Sequence, residues 1–360
     1  MKQNSNSASY SGVWKKLLKD PVGCVSLLLI GLFSVMAVGA YFISPDSTPY
    51  ANEQHLEIAV KKPGFEIEML EIRDPSVEKT SFFRRLLYGA PSQYVSTPVY
   101  RHWKQNGREY FETYTGDNPN DGDIISLSEQ DDYRISKRHY ILGTDRYGRC
   151  LFSQLVVGTR VSLSVGLISI LISIVIGVTL GAVAAYYGKW VDNVIMWLIN
   201  VVWSIPTVLL VVAITFALGK GFWQVFVAVG LTMWVDIARL VRGQVKSIKE
   251  KEFVEAARAL GYSDRRIIIR QILPNVVGPI TVVAASNFAT AILQEAGLSF
   301  LGLGVQPPMP SWGSIIKENY GYIILDAAYM AITPGIAIML LVLSFIALGS
   351  GLRKAMDVRN

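Results

Sequence analysis

The chain has 360 residues, of which 51% are apolar and only 17% charged, and its mean hydropathy is +0.35. Soluble domains carry charge on about a quarter of their residues, so this composition excludes a soluble protein and indicates one solvated by lipid. The net charge of +6 does not indicate nucleic acid, because the basic residues collect beside apolar runs, where they set membrane orientation.

From the N-terminus, Trp14, Leu17 and Leu18 share one face at helical spacing, with Lys15, Lys16 and Lys19 around them, which predicts a short helix lying on the membrane surface. Asp20 is placed to cap the following helix and Pro21 to begin it. A bilayer-spanning helix needs about 20 apolar residues. Six windows meet or approach that length: Val22 to Ile43, Leu163 to Ala185, Val194 to Leu218, Phe222 to Leu240, Val276 to Leu293 (the shortest) and Ala327 to Leu348. The first exceeds the apolar core of a signal peptide, about 7–15 residues, and reads as a retained anchor although Ala37 and Gly39 imitate a cleavage site. The expected architecture is an all-α polytopic membrane protein with six transmembrane helices and a β-containing extracytoplasmic insert between spans 1 and 2. Its expected parts are an N-terminal segment at 1–21, the first span at 22–43, the insert at 44–155 and a helical core at 156–360.

The insert mixes acids, bases and aromatics and is too long and too aromatic for a linker. Val99 to Gln105 and Arg108 to Tyr114 flank Asn106-Gly107, a hairpin signal because both turn residues tolerate positive φ, and Phe65 to Ile72 reads as another strand. Two roles stay open for it, contact with a substrate-delivering protein or a cover that stiffens the assembly. His55, His102 and His139 are scattered through it without ligand spacing and indicate no metal. The two cysteines, Cys24 and Cys150, fall toward opposite faces of the bilayer, too far apart to bridge. Gly143, Thr144, Asp145, Gly148 and Arg149 form a turn leading into the second span.

Within the core, Gly177 and Gly181 form a small-xxx-small pair that predicts close packing of the second span on a neighbour. Pro206, Pro279 and Pro334 are expected to kink their spans. Asp236 and Arg239, three apart near one end of the fourth window, are expected to pair at the interface, which leaves no window with a central acid or base. Between the fourth and fifth windows, at about 242–275, lies a charged helical elbow. Lys251 to Leu260 favours helix, Gly261 can end it in a left-handed conformation, and Ser263 can cap a second helix running toward Leu273. Ala256 and Ala257 leave one face flat, with Glu255, Arg258, Arg265 and Arg266 around it, which is the chemistry of a docking surface. Basic residues precede the first span, fill the elbow and return at Arg353, Lys354 and Arg359, so an even number of spans and the positive-inside rule put both termini and the elbow in the cytoplasm. The Gly- and Pro-rich run from Gly297 to Pro310 is not expected to continue a helix, and such backbone survives at membrane depth only when buried or lining a cavity. Glu295 before it reads either as a lone interfacial acid or as part of that contact.

Glu255, Ala256, Ala257, Arg258 and Gly261, followed by Ile272, Leu273 and Pro274, resemble the E-A-A loop of ABC importer permeases; Gln271 stands where the family pattern has Ile. The turn at 142–149, Gly158-Thr159-Arg160 and Ser162 resemble the approach to the second span in the C-type subunit of dipeptide/oligopeptide/nickel permeases, with Cys150 where Asp is common. The run that includes Ser299, Gly302, Gly304, Gln306, Pro307, Pro308 and Trp312 resembles that subunit's segment after its fifth span. Most of Ser44 to His139 lies outside the resemblance.

The resemblance implies a multi-pass permease subunit of the bacterial inner membrane. It also implies a sister permease, two ATP-binding subunits that use ATP and Mg and grip the elbow as a coupling helix, and an extracytoplasmic binding protein that delivers short peptides. The second and third motifs become candidates for an outer gate or partner contact. No cofactor is expected on this chain, because neither Gly188-Lys189 nor Gly219-Lys220 continues as a P-loop, and no nucleophile, base and orienter set is present. Nickel chelates or another small solute are alternative substrates, and an ion-driven secondary transporter is the alternative from another class.

Overall fold

The computed structural model describes residues 10–116, 121–128, 130–219 and 221–356; Lys220 and Arg359, both named above, lie outside the described residues. The N-terminal helices are α1 (Tyr10–Lys19), α2 (Pro21–Val38) and the short α3 (Ala40–Ile43). The insert holds β1 (Phe65–Arg73), α4 (Phe82–Tyr88), β2 (Tyr94–Gln105), β3 (Arg108–Thr113), β4 (Ile124–Ser128) and β5 (Tyr133–Tyr140). Then come α5 (Leu151–Tyr187), α6 (Lys189–Ser204), α7 (Thr207–Leu218), α8 (Phe222–Lys249), α9 (Glu252–Ala259), α10 (Asp264–Ile267), a π-helical turn at Ile268–Ile272, α11 (Leu273–Phe300), α12 (Trp312–Asn319) and α13 (Tyr329–Met356). Five helices among the described residues are long and apolar enough to cross a membrane, or six if α6 and α7 together make one span.

The chain divides into two compact units, one of Met1–Phe33, Ser162–Val305 and Ile338–Asn360, the other of Ser34–Val161 and Gln306–Ala337. In the first unit α5 packs on α8 along small residues every fourth position. A Cβ on Gly177 would lie 2.7 Å from the Trp234 carbonyl oxygen, and one on Gly181 would lie 2.5 Å from that of Ala238. The stripe extends beyond the glycine pair, since Ser169 and Ser173 donate to the carbonyls of Phe226 and Gly230 at 3.1 and 2.8 Å. Small side chains and serine hydroxyls let two apolar helices approach closely in lipid. At the N-terminus Asp20 accepts from the Gly23 amide at 3.2 Å, capping α2 as expected. Leu17 of α1 is buried, whereas Trp14 and Leu18 are exposed.

Several boundaries differ from the sequence reading. The third window is two helices bent by 95° at Pro206, a sharper break than a kink, and makes either one broken span or a re-entrant pair. Pro206 lacks an amide hydrogen and restricts the residue before it, and Ile205 is extended at φ −91, ψ 128. Pro279 and Pro334, by contrast, lie inside continuous α11 and α13. The helix begun at Ser263 does not stop near Leu273; it passes through the π-helical turn into α11, so the fifth window belongs to a 37-residue helix, Asp264–Phe300. A wide turn accommodates Pro274, whose ring would strike the carbonyl four residues back in a regular α-helix. Gly297 to Phe300 are helical, so the irregular run begins only at Leu301. Helix α5 starts at Leu151, inside the segment read as insert. Asp236 and Arg239 form no ion pair: Arg239 donates to Asn200 Oδ1 at 3.0 Å and lies 3.8 Å above the Trp203 ring, while α8 continues past the apolar window to Lys249.

In the second unit the insert is a five-stranded antiparallel sheet in the order β4-β3-β2-β1-β5. Asn106 and Gly107 take φ +53 and +73, the paired positive values of the tight hairpin that joins β2 to β3. Strands β4 and β5 escaped the sequence reading. In β5 the alternation is one of charge, Arg134 and Arg138 with Ser136 between them, and its partner is the buried Glu71 of β1. Glu71 accepts from Arg134 Nε at 2.5 Å, Ser136 Oγ at 2.8 Å and Arg138 Nη2 at 2.8 Å. Arg138 also donates to Glu53 at 2.8 Å. Burial works against ionisation of Glu53, but hydrogen bonding from His55 and the Arg138 charge overcome it and hold this carboxyl at about 2.

Candidate functional site

The elbow is built on the packed core of the first unit. Val254 of α9 and Ile267 of α10 are fully buried, in one cluster with Ala182 and Tyr186 of α5, Val241 and Val245 of α8, and Val276 of α11. Helix α9 ends in a Schellman motif: the Tyr262 amide donates to the Ala257 carbonyl at 3.1 Å and the Gly261 amide to the Arg258 carbonyl at 2.9 Å, with Gly261 at φ +74. Ser263 occupies the N-cap position of α10 in extended conformation, but its side chain makes no capping hydrogen bond.

Tyr186, which sequence reasoning missed, fastens the bend. Its hydroxyl donates to Asp264 Oδ1 at 2.7 Å, Lys249 Nζ donates to its carbonyl at 2.5 Å, and Arg258 lies 5.4 Å from its ring centroid. A second missed fastening is bidentate, Arg242 of α8 on Asp192 of α6 at 2.5 and 2.7 Å. The signal for Tyr186 was only an aromatic at the end of an apolar run, which does not name its partner.

Glu255, Ala256, Arg258 and Gly261 are exposed, whereas Ala257 is buried, so the flat face attributed to both alanines consists of Ala256 alone. The small side chain at 257 serves packing against the core. Leu273 is half-buried and Pro274 exposed. Ser263, Arg265, Arg266, Ile269 and Arg270 line a shallow basic groove beside the bend. The elbow therefore offers a charged, shape-defined surface on a rigid base.

The other two sequence motifs are mostly internal joints. In the turn before α5, Thr144 and Asp145 are fully buried and Arg149 nearly so. Thr144 Oγ1 donates to the Ile58 carbonyl at 2.6 Å and accepts from the Lys61 amide at 2.8 Å. Asp145 accepts from the amides of Tyr147 and Arg149, both at 2.9 Å, and from Arg149 Nε at 2.6 Å. Arg149 also donates to Glu318 of α12 at 2.5 Å. Burial pushes the Asp145 carboxyl above its ordinary range against the pull of Arg149. Gly143 and Gly148 take φ +76 and +71, and an added Cβ would come within 2.3 Å of the Lys61 oxygen and 1.7 Å of the His55 oxygen respectively. Trp312 is fully buried, with Nε1 donating to the Leu155 carbonyl at 3.0 Å, and Ser311 caps α12 in a reciprocal capping box with Ser314.

In the first unit Gly302, at φ +79, ends α11 in a second Schellman motif: the Leu303 amide donates to Leu298 and the Gly302 amide to Ser299. Glu295 is fully buried there and accepts from Ser299 Oγ at 2.7 Å and Ser162 Oγ at 3.3 Å, which places it within the motif rather than alone. The Val305 amide donates to Ser299 Oγ, and a Cβ on Gly304 would lie 2.0 Å from that oxygen. Gln306, Pro307 and Pro308 continue the chain in the second unit, where Pro307 and Pro308 are exposed.

Residues 177–359, which hold the elbow and the run after α11, match the model of the binding-protein-dependent transport system inner membrane component family. The chain belongs to that family. This permease is 41% identical over 222 residues to the dipeptide transport system permease protein DppC of Alkalihalophilus pseudofirmus, covering 62% of this chain and 72% of that one. It is equally similar, at 41% over 222 residues, to the glutathione transport system permease protein GsiD of Pectobacterium atrosepticum, covering 62% and 73%. Among solved structures, the inward-facing MetNI methionine ABC transporter is similar at 22% identity and a TM-score of 0.47, over 57% of this chain and 96% of that one. The permease is thus a transport subunit of ABC importers of the C type, and not their ATPase.

Proposed function

We propose that this permease pairs with a sister permease to form the path by which short peptides, delivered by an extracytoplasmic binding protein, enter the cell. In this reading α6 and α7 together make the third of six spans, both termini are cytoplasmic, and the elbow is the coupling helix of two ATP-binding subunits. Glu255, Ala256, Arg258 and Gly261 present the docking face, Ala257 and Leu273 seat it, and Pro274 with the π-helical turn joins it to α11 without a flexible loop. The carrying observation is that join: Asp264–Phe300 is one continuous helix, and Val254 and Ala257 of α9 pack in the same cluster as Ile267, Ile272 and Val276, so a partner that displaces the bend also loads α11. Lever action of this kind is how closure of one body on a nucleotide becomes a change of access in another.

The dipeptide and glutathione permeases named above support a peptide solute; nickel chelates or another small solute remain the alternative cargo for the same machinery. Asp236, near the midpoint of α8, is the kind of group on which an ion-driven transporter would rely, but that reading leaves the elbow without a purpose. Co-expression with the ATP-binding subunits decides between them. The importer reading expects the subunits to co-purify and to be lost when Glu255 and Arg258 are reversed in charge; a chain that transports alone on an ion gradient overturns it. Cysteines at Ala256 and Lys354 should react only with reagents applied from the cytoplasmic side.

A further inference from the structure

The break between α6 and α7 opens a pocket that coupling to an ATPase does not use. Trp203 and Ile205 at the break, Asp236 from α8, and Asn287, Thr290 and Gln294 from α11 line this cavity of about 110 Å³. It is smaller than the roughly 300–1,000 Å³ of sites that enclose a whole ligand, and so fits the end of a solute rather than all of it. Asn287, Thr290 and Gln294 recur at three- and four-residue intervals and so share one helix face. Asn287 is only 7% exposed, yet its Nδ2 has no hydrogen-bond partner, and Gln294 Oε1 is likewise buried and unpaired. Buried polar atoms are rarely left so in a finished structure. Asp236 is exposed at the pocket and has no hydrogen bond or ion pair among the described residues; Arg239, one turn along, donates to Asn200 and stacks on Trp203 instead. Arg239 acts on Asp236 through its charge but forms no ion pair with it, so the carboxylate oxygens stay open to a ligand's donors.

We propose that this pocket contacts the transported solute and takes a primary ammonium group joined to an amide, the chemistry of a peptide N-terminus. Asp236 receives the ammonium, the Asn287 amide donates to the adjoining carbonyl, and Gln294 Oε1 accepts from the following N–H. The inference rests on the importer reading for its cargo but not for its charge preference, and two measurements on the complete transporter in proteoliposomes separate them.

In the first, Thr290→Cys in a Cys24→Ser background is titrated with ethylammonium and ethylsulfonate methanethiosulfonates, each rate normalised to that with a free thiol. The cationic reagent is expected to be favoured about fivefold or more, and Asp236→Asn to abolish the preference. In the second, uptake of dialanine is compared among wild type, Asp236→Asn and Asp236→Glu. The asparagine variant should lose about tenfold or more, as loss of a charge-assisted hydrogen bond does, while the glutamate variant retains most uptake and both keep their ATP-binding subunits. Undiminished dialanine uptake by Asp236→Asn, or a charge preference that survives it, overturns the proposal. A preference abolished by Asp236→Asn in a transporter whose wild type takes up no dialanine supports the amine site and instead removes the peptide reading.

Discussion

The elbow and the turn before α5 are both bent by a glycine in the left-handed region, Gly261 at φ +74 and Gly148 at φ +71, yet their surroundings are opposite. Around Gly261 an added Cβ would meet nothing within 4 Å, whereas at Gly148 it would sit 1.7 Å from the His55 carbonyl oxygen. The flanking charges follow the same division. Glu255 and Arg258 are exposed, but Asp145 and Arg149 are buried against each other. One bend is rigid from within and open outward, as a surface that receives another protein must be; the other is saturated with internal bonds and acts as a rivet of its own unit. Two motifs that look alike as glycine-and-charge patterns thus divide into an open face and a structural joint.

The largest effect that sharpens this contrast is expected at the rivet. Gly148→Ala forces backbone to move and should cost on the order of 3–5 kcal/mol or prevent accumulation of folded chain, read as loss of monodisperse protein in detergent. Arg149→Leu leaves the buried Asp145 without its cation and belongs in the same range, about 3–5 kcal/mol; adding Asp145→Asn should recover part of the loss, and no recovery would break the account of this pair.

At the elbow the cost is conformational alone. Gly261→Val should destabilise by about 1–3 kcal/mol through the left-handed φ, while Gly261→Asn, which tolerates that region, should change little. Both should still reach the membrane, but the valine variant is expected to lose coupled uptake with ATP hydrolysis persisting. If valine and asparagine couple equally well, the bend is not the lever.

Smaller still is the acid response of the insert. Glu53 is held at about 2 against an ordinary 4.5, so its contribution is fully present above about pH 4.5 and fades as pH falls through the folded value. Hydrogen-exchange protection of β1 and β5 should therefore decline between about pH 4.5 and 2, by on the order of 2 kcal/mol. Glu53→Gln should flatten that decline, and an unchanged profile would remove the carboxylate network as its cause.

Much of the membrane core was legible in the chain. Apolar windows located the long helices, Gly177 and Gly181 marked the contact of α5 with α8, Asn106-Gly107 marked the β2–β3 hairpin, and Gly261 marked the bend. These signals are local: they depend on hydropathy, small size, or a φ that few residues adopt, and each is complete within a few positions. Strand β5 was not legible because its alternation is of charged residues, whose meaning depends on Glu71 far away in sequence. Nor could the run of residues show that Ala257 packs inward while Ala256 faces out, that Glu295 is gripped by Ser162, or that Tyr186 ties the elbow to Asp264.

The amino-acid sequence by itself determined that this protein is a multi-helix membrane protein with a polar insert and a charged bend, because solvent preference and backbone freedom are properties of individual residues. Only the tertiary structure decided which charges are rivets and which are open, since a charge's role depends on whether a partner from a distant segment arrives beside it. Asp145 meets Arg149 and is spent on folding; Asp236, which sequence spacing would have paired with Arg239, is left facing a pocket.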